Sequence, residues 1–519
     1  MGKRGRFVAG AVCALLAVNL VIVMTCAPIL DYDSKTNLVQ LDPIFLLVAA
    51  GLGTLVCVGV AAFVRTRAWE RLVCLRSFAI VLSVTMVLLV AAQAVMFWGA
   101  FFRTGWDLIY VAGLDVLEQN RSYFETYPNQ RLLVGLFELV AAPMRADGTY
   151  TLMGCYERVA VIACASVDIS IVAMALAARK VGGYAIGYAT LALMVLMCGL
   201  SPWVMVPYTD ALGMLCPSLV LASYACVKRP RLRAALVGAF GAFGYFVKPT
   251  AIFVVVAILV AELLRGKLAQ RLRSAGVVGV GTTVLAFVLA AGIGVGTAQA
   301  LSSRTLELDP QRAFSATHYL MMGANEADGG GYSGTDVRLS WSYPTQSERK
   351  SAELDEWKRR LGQMGPAGTI RLFARKICTN FADGTLAWRK EGDFFMEVTG
   401  ASDAIRWWLG VEPNYTTVPP YSFVAQPLWL LVLLGCIACA LVRRPDPVTV
   451  AMLLSVAMLS VFLAIFECRA RYLYLYLPYF CLLACLGWRE VGALVVGSGR
   501  ESHPHPLSDA KRGGTHARD

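Results

Sequence analysis

Long apolar runs recur along this 519-residue chain, separated by short connections rich in Lys and Arg. No other feature constrains the fold as tightly. The runs reach roughly 17 residues or more, and a helix needs about 20 such residues to cross a bilayer. Apolar residues make up 57% of the chain and charged residues only 16%, with a mean hydropathy of +0.59. A soluble domain carries about 25% charge.

Read this way, spans lie near 7–29, 43–64, 77–100, 155–178, 183–200, 211–227, 234–247, 249–265, 274–300, 425–442, 448–466 and 472–488, roughly twelve in all. The stretch 132–144 is apolar but short, and reads as a re-entrant or interfacial helix. Lys3, Arg4 and Arg6 precede the first run as in a signal peptide, but no convincing cleavage pattern follows, so a retained span is expected. With the N-terminus inside, twelve spans place Arg65, Arg67, Arg71, Arg76, Arg179, Lys180, Lys228, Arg229, Arg231, Arg233, Arg265, Lys267, Arg271, Arg273, Arg443, Arg444 and Arg489 on the cytoplasmic side. The net charge of +12 is accounted for by these connections. A nucleic-acid partner would need a basic stripe or an aromatic platform instead. The polar tail, with His503 and His505, reads as disordered and too poor in histidine for a metal site. Most of the 15 cysteines lie inside apolar runs, where Cys acts as a small hydrophobe. The largest polar segment, 301–424, holds only Cys378, and no disulfide framework or zinc spacing stands out.

The opposite connections differ in kind. Within 301–424, Thr345 and Glu348 form a capping-box pattern that opens a helix toward Arg360. Pro366 suits the first turn of a second helix, with Ile370, Phe373, Ile377 and Phe381 on one apolar face. Asp107 follows the third span, and a carboxylate at the membrane boundary can act as a general base on a hydroxyl. A solvated loop aspartate would look the same, and Asp115 and Glu118 lie nearby. Tyr127, Asn129 and Gln130 offer hydrogen-bonding groups suited to sugar hydroxyls, or a simple turn at Pro128. Asp210 is either a second acid of a site or a residue favoured by a helix N-terminus. Lys248, between two apolar runs, is costly unless paired or snorkelling. Arg469 and Arg471 break the positive-inside pattern; the planar guanidinium suits phosphate oxygens, lipid headgroups or the neighbouring Glu467.

Taken in order, Asp107, Tyr123-Phe124, Tyr127-Pro-Asn-Gln130, Pro207-Tyr-Thr-Asp210, Lys248-Pro-Thr250 and Glu467-Cys-Arg-Ala-Arg-Tyr-Leu473 before Leu477-Pro478 resemble the GT-C superfamily of integral membrane glycosyltransferases. The nearer resemblance is to bacterial members of the protein O-mannosyltransferase and aminoarabinose-transferase group. His318 to Asn325, Gly329 to Asp336 and Ala382-Asp-Gly-Thr385 also look like Gram-positive members, and the resemblance runs over about 77–488. It implies an all-α, GT-C-like bundle of about twelve spans with an external α-rich domain. It also implies a polyprenyl-phosphate sugar donor held by Lys248, Arg469 and Arg471, an extracytoplasmic acceptor met by Tyr127, Asn129, Gln130, Asp210, His318 and Asn325, and Asp107 as base. The acidic pair common in that family's first loop is absent, since Trp106 and Leu108 flank Asp107, so Asp115 stays a candidate. No cofactor is implied with certainty; Asp210 could orient the acceptor or bind a divalent metal.

The expected organisation is an added hairpin at 1–76, a core at 77–300 with its catalytic loop at 101–154, an extracytoplasmic domain at 301–424, final spans at 425–488 and a cytoplasmic tail at 489–519. A transporter or flippase is the rival reading. It calls for polar residues near mid-span, where only Asp168 and Gln93 stand out.

Overall fold

The computed structural model describes residues 3–26, 43–63, 67–104, 121–127, 130–266, 268–302, 309–388, 395–411 and 419–495. The longer helices of the first half are α1 (Lys3–Cys26), α2 (Pro43–Phe63), α3 (Leu75–Ala100), α4 (Arg131–Ala146), α5 (Leu152–Gly182), α6 (Tyr184–Met194), α7 (Thr209–Cys226), α8 (Pro230–Val247), α9 (Phe253–Leu264) and α10 (Leu268–Ser302). A polar domain follows with α11 (Ala316–Gly323), α12 (Gly334–Trp341), α13 (Gln346–Phe381) and α14 (Asp403–Leu409). Helices α15 (Tyr421–Ala438), α16 (Pro447–Ile465) and α17 (Leu477–Val495) complete the bundle.

Among the described residues, 8 helices are long and apolar enough to cross a membrane. They are α1, α3, α5, α7, the Gly276–Ser302 part of α10, and α15 to α17, the last counted from Ala470. The other expected spans are helices too: α2, α6 and α9 are shorter apolar ones, and α8 begins with Pro-Arg-Leu-Arg. The chain is an all-α polytopic membrane protein. Val277, Val284, Leu285, Val288, Leu289 and Ile293 of α10 face away from the protein, a surface for hydrocarbon to cover. Trp98 at the end of α3 and Trp407 and Trp408 on α14 are exposed together, as in the aromatic belt at a membrane–water boundary.

Lipid offers no hydrogen bonds, so a broken helix must be satisfied from within the protein. The last span does this with three buried tyrosines. Tyr474 donates to Cys198 O (2.7 Å) in the π-turn that ends α6, Tyr476 to Thr250 O (2.9 Å) in the 3-10 turn before α9, and Tyr479 to Pro217 O (2.7 Å) inside α7. Crossings elsewhere use small residues. On α17, a Cβ at Gly487 would stand 1.9 Å from Gly435 O of α15. Cys436 of α15 and Cys439 in the 3-10 turn after it donate to Phe480 O and Leu483 O of α17 at 3.2 and 2.9 Å, so this Cys-x-x-Cys is a packing device.

The capping box at Thr345 and Glu348 forms, and α13 breaks at Gly365 (φ 61°), which precedes Pro366. A positive φ costs glycine little, and the two expected helices meet there. The apolar face differs from expectation. Ile370 and Phe373 are exposed, while Leu372, Lys376, Cys378, Asn380 and Phe381 are buried. The polar domain covers the side that a spacing rule would assign to water. A short antiparallel ribbon, β1 (Phe102–Thr104) with β2 (Phe395–Val398), was not foreseen; it pairs the chain just after α3 with the polar domain.

A Gly487→Ala substitution is expected to destabilise the bundle by about 1–3 kcal/mol through overpacking, read as a lower unfolding temperature in detergent. Gly281→Ala on α10, where no atom lies within 4 Å, should leave it unchanged or slightly raised.

Candidate active site

Helix α7 starts at the Pro207-Tyr-Thr-Asp210 link, and its first turn places Asp210 inside the protein. No capping bond holds this carboxylate. It accepts instead from Lys248 Nζ, where α8 ends, and lies 3.5 Å from Arg471 Nη1, from the link between α16 and α17. All three side chains are nearly dry: 4% exposed for Asp210, 11% for Lys248 and 5% for Arg471. Three links distant in sequence thus meet at one end of the bundle.

Tyrosines wrap the cluster. Lys248 Nζ lies 4.0 Å from the Tyr472 ring centroid, and the Arg471 guanidinium lies 4.9 Å from Tyr208 and 5.5 Å from Tyr472. A cation over an aromatic face regains part of what it loses on leaving water. Gln130 Nε2 donates to the Tyr208 hydroxyl, bringing the first long loop to the same place. Arg469 turns outward. Its Nε donates to Glu467 Oε1 (2.9 Å), its guanidinium lies over Tyr332 (5.5 Å), and Tyr472 OH donates to Glu467 Oε2 (3.3 Å).

The remaining expected residues lie elsewhere. Tyr127 packs edge-on to Phe314 (5.4 Å), which stacks on His318 (3.8 Å). His318 is fully buried; its Nδ1 shares a 2.7 Å hydrogen bond with Ser340 Oγ, which donates to Glu353. Asn325 donates to Asp328, Ser333 and Asp336, closing the loop before α12. His318 and Asn325 are therefore engaged in the interior of the polar domain rather than in the Asp210 cluster. Asp383 likewise accepts from Thr385 N and Ala387 N, bracing a turn. Asp107, Asp115, Glu118 and Asn129 lie outside the described residues. Among the described residues, no three His, Cys, Asp or Glu side chains gather to hold a metal ion. Asp210, set between two cations, is poorly placed to bind a third.

The structure adds Tyr208, Tyr472 and Lys376. Lys376 is fully buried on α13, and its Nζ donates to Gly323 O of α11 (2.9 Å) and to Phe466 O at the end of α16 (2.7 Å). Burial pushes its ammonium down to about 8, against the opposing pull of Cys468 and Glu467. Glu467 N donates to Tyr319 O and Cys468 N to Gly330 O, so the polar domain grips the link that carries Arg469 and Arg471. At Gly323 a Cβ would stand 2.4 Å from Ile465 O. A lysine on an otherwise amphipathic helix reads as solvated, and only its place among Leu372 and Cys378 could have hinted otherwise.

The family described as "conserved hypothetical integral membrane protein" (CHIM_prot) matches residues 5–491. The chain belongs to that family. No curated protein matches it. Among solved structures, this CHIM_prot chain is similar to ArnT from Cupriavidus metallidurans in the apo state, at 16% identity over 79% of this chain and 78% of that chain, with a TM-score of 0.28. That likeness is weak, and the site is read from this chain's own residues.

Asp210→Asn is expected to cost about 3–5 kcal/mol, because it strands buried cations. Asp210→Asn with Lys248→Met should recover part of that loss in the same thermal unfolding assay.

Proposed function

We propose that the protein is a membrane glycosyltransferase of GT-C-like architecture. It moves a sugar from a polyprenyl-phosphate donor to an acceptor on the extracytoplasmic face, be it an envelope polymer, lipid or protein. The supporting observation is the meeting of Lys248 and Arg471, two nearly dry cations, around Asp210 at the end of the spans and beneath the polar domain. Buried fixed cations suit a phosphate, and the span ends suit its lipid tail. The termini then lie in the cytoplasm, with the cluster and the 301–424 domain outside.

In this reading the donor phosphate meets Lys248 and Arg471, with Arg469 at the rim. Asp107 takes the proton of the acceptor hydroxyl, and the oxygen attacks the anomeric carbon. The bond from that carbon to the phosphate oxygen breaks, and polyprenyl phosphate leaves with the electron pair. Cations fixed where that charge develops ease the departure without reorganising. One displacement inverts the anomeric centre. Tyr127, Asn129 and Gln130 of the same loop face the acceptor, and Gln130 reaches the cluster through Tyr208. Asp210 acts as counter-ion that holds both cations in place. His318 and Asn325 shape the polar domain that receives the acceptor.

A flippase would use a polar path through the spans. The mid-span pair here is closed on itself: Gln93 donates to Asp168 (3.0 Å) and to Gly199 O (3.1 Å). With purified protein and a polyprenyl-phosphate sugar, Asp107→Asn should lower kcat by roughly 10²–10⁴-fold, the usual contribution of a general base. Arg471→Lys should raise the donor KM roughly ten- to hundredfold, as expected for a lost charged hydrogen bond. Transfer at the wild-type rate by correctly inserted Asp107→Asn protein would sink the mechanism. A deletion strain with unchanged lipid-linked sugars would count against transfer altogether.

A further inference from the structure

Cys378 Sγ lies on α13 beside the last turn of α1, 3.8 Å from Ile22 O. In an α-helix that oxygen accepts the N–H four residues on, at about 2.9 Å, and here that residue is Cys26. Side chains on a helix tilt toward its N-terminus, so Cys26 Sγ reaches back toward the level of Ile22. The two thiols therefore lie on the same side of the contact between α1 and α13, near enough for Cys26 to act electrostatically on Cys378. Cys378 is fully buried there and Cys26 only partly. A disulfide needs Cα atoms roughly 4.4–6.8 Å apart, a span that adjacent helices of this kind allow.

We propose that Cys26 and Cys378 form a disulfide that fastens the first span to the polar domain. The proposal rests on the outward orientation given under Proposed function, because an oxidising compartment is where such a bond forms and persists. The oxidant is an exported protein disulfide. The partly exposed Cys26 thiolate attacks one of its sulfurs; an S–S bond forms to Cys26 and the oxidant's own S–S bond breaks, releasing a thiolate. Cys378, as thiolate, then attacks Cys26 Sγ and displaces the second oxidant sulfur. Two thiols of this chain give up two protons and two electrons, and the oxidant becomes a dithiol. Burial pushes the Cys378 thiol up to about 12, which makes the second step slow and the finished bond inaccessible to reductants. Lys376, two residues before Cys378, grips Phe466, so one short stretch of α13 would be tied to the bundle on two sides.

The test is made on the full chain in its native membrane. Intact cells are treated with N-ethylmaleimide before lysis, the protein is then unfolded in the same reagent so that buried thiols also react, and it is digested without reductant. A cross-linked peptide containing Cys26 and Cys378 is expected, lost on reduction and absent from Cys26→Ser and Cys378→Ser. Recovery of both cysteines as separate maleimide adducts overturns the disulfide. A Lys358→Cys variant, exposed on α13, is labelled in parallel with a membrane-impermeant maleimide. Labelled Cys at 358 with no cross-link overturns the disulfide alone; no label and no cross-link overturn the orientation as well.

Discussion

A lysine ammonium with almost no water around it is stable only while an anion stands against it. Asp210 supplies that anion to Lys248 and shares it with Arg471. Removing one charge of such a set is far more costly than never having placed any. The arrangement therefore locks together the start of α7, the end of α8 and the link between α16 and α17. The aromatic rings of Tyr208 and Tyr472 replace part of the lost hydration, and the hydroxyl of each ring is used again: one accepts from Gln130, and the other donates to Glu467. The Tyr208 hydroxyl thus ties the first long loop to the cluster.

The polar domain has a matching role from its own side. Lys376, Glu467 N and Cys468 N bond across the contact between α11, the loop after it and the hairpin link. The arginines are consequently positioned by two bodies, the bundle below and the domain above. Glu125, Thr126 and Tyr127 dock the first long loop on the same domain through Arg312, the Phe314 amide and the Phe314 ring. Three residues later Gln130 has entered the cluster. The described end of that loop is thus fixed to both.

Much of this was legible from residues alone where chemistry permits few alternatives. Apolar runs of spanning length have to become helices in lipid, because only a helix or a closed barrel satisfies its own backbone there. Thr345 with Glu348, and Gly365 before Pro366, leave similarly little choice. Asp210, Lys248 and Arg471 stood out one by one because charges among apolar runs need partners. Which partner each takes was not legible, since Asp210 meets Lys248 from 38 residues away and Arg471 from the far end of the chain. The same gap hid Lys376. Its neighbours at helical spacing suggest an outward face, but the covering surface comes from α11 and α16. His318 and Asn325 show the converse: polar groups in a loop-rich segment resemble ligands of a substrate until their intramolecular bonds to Ser340 and Asp336 are seen.

The ribbon between Phe102–Thr104 and Phe395–Val398 has a consequence in time as well as in space. Its strands are separated by roughly 300 residues, and a ribosome adds about 5–20 residues per second. The first strand therefore waits on the order of 15–60 s for its mate. During that interval α3 and the helices up to α10 have left the ribosome. The Phe102–Thr104 edge has no mate until the polar domain arrives, and its pairing is among the later long-range events of biogenesis.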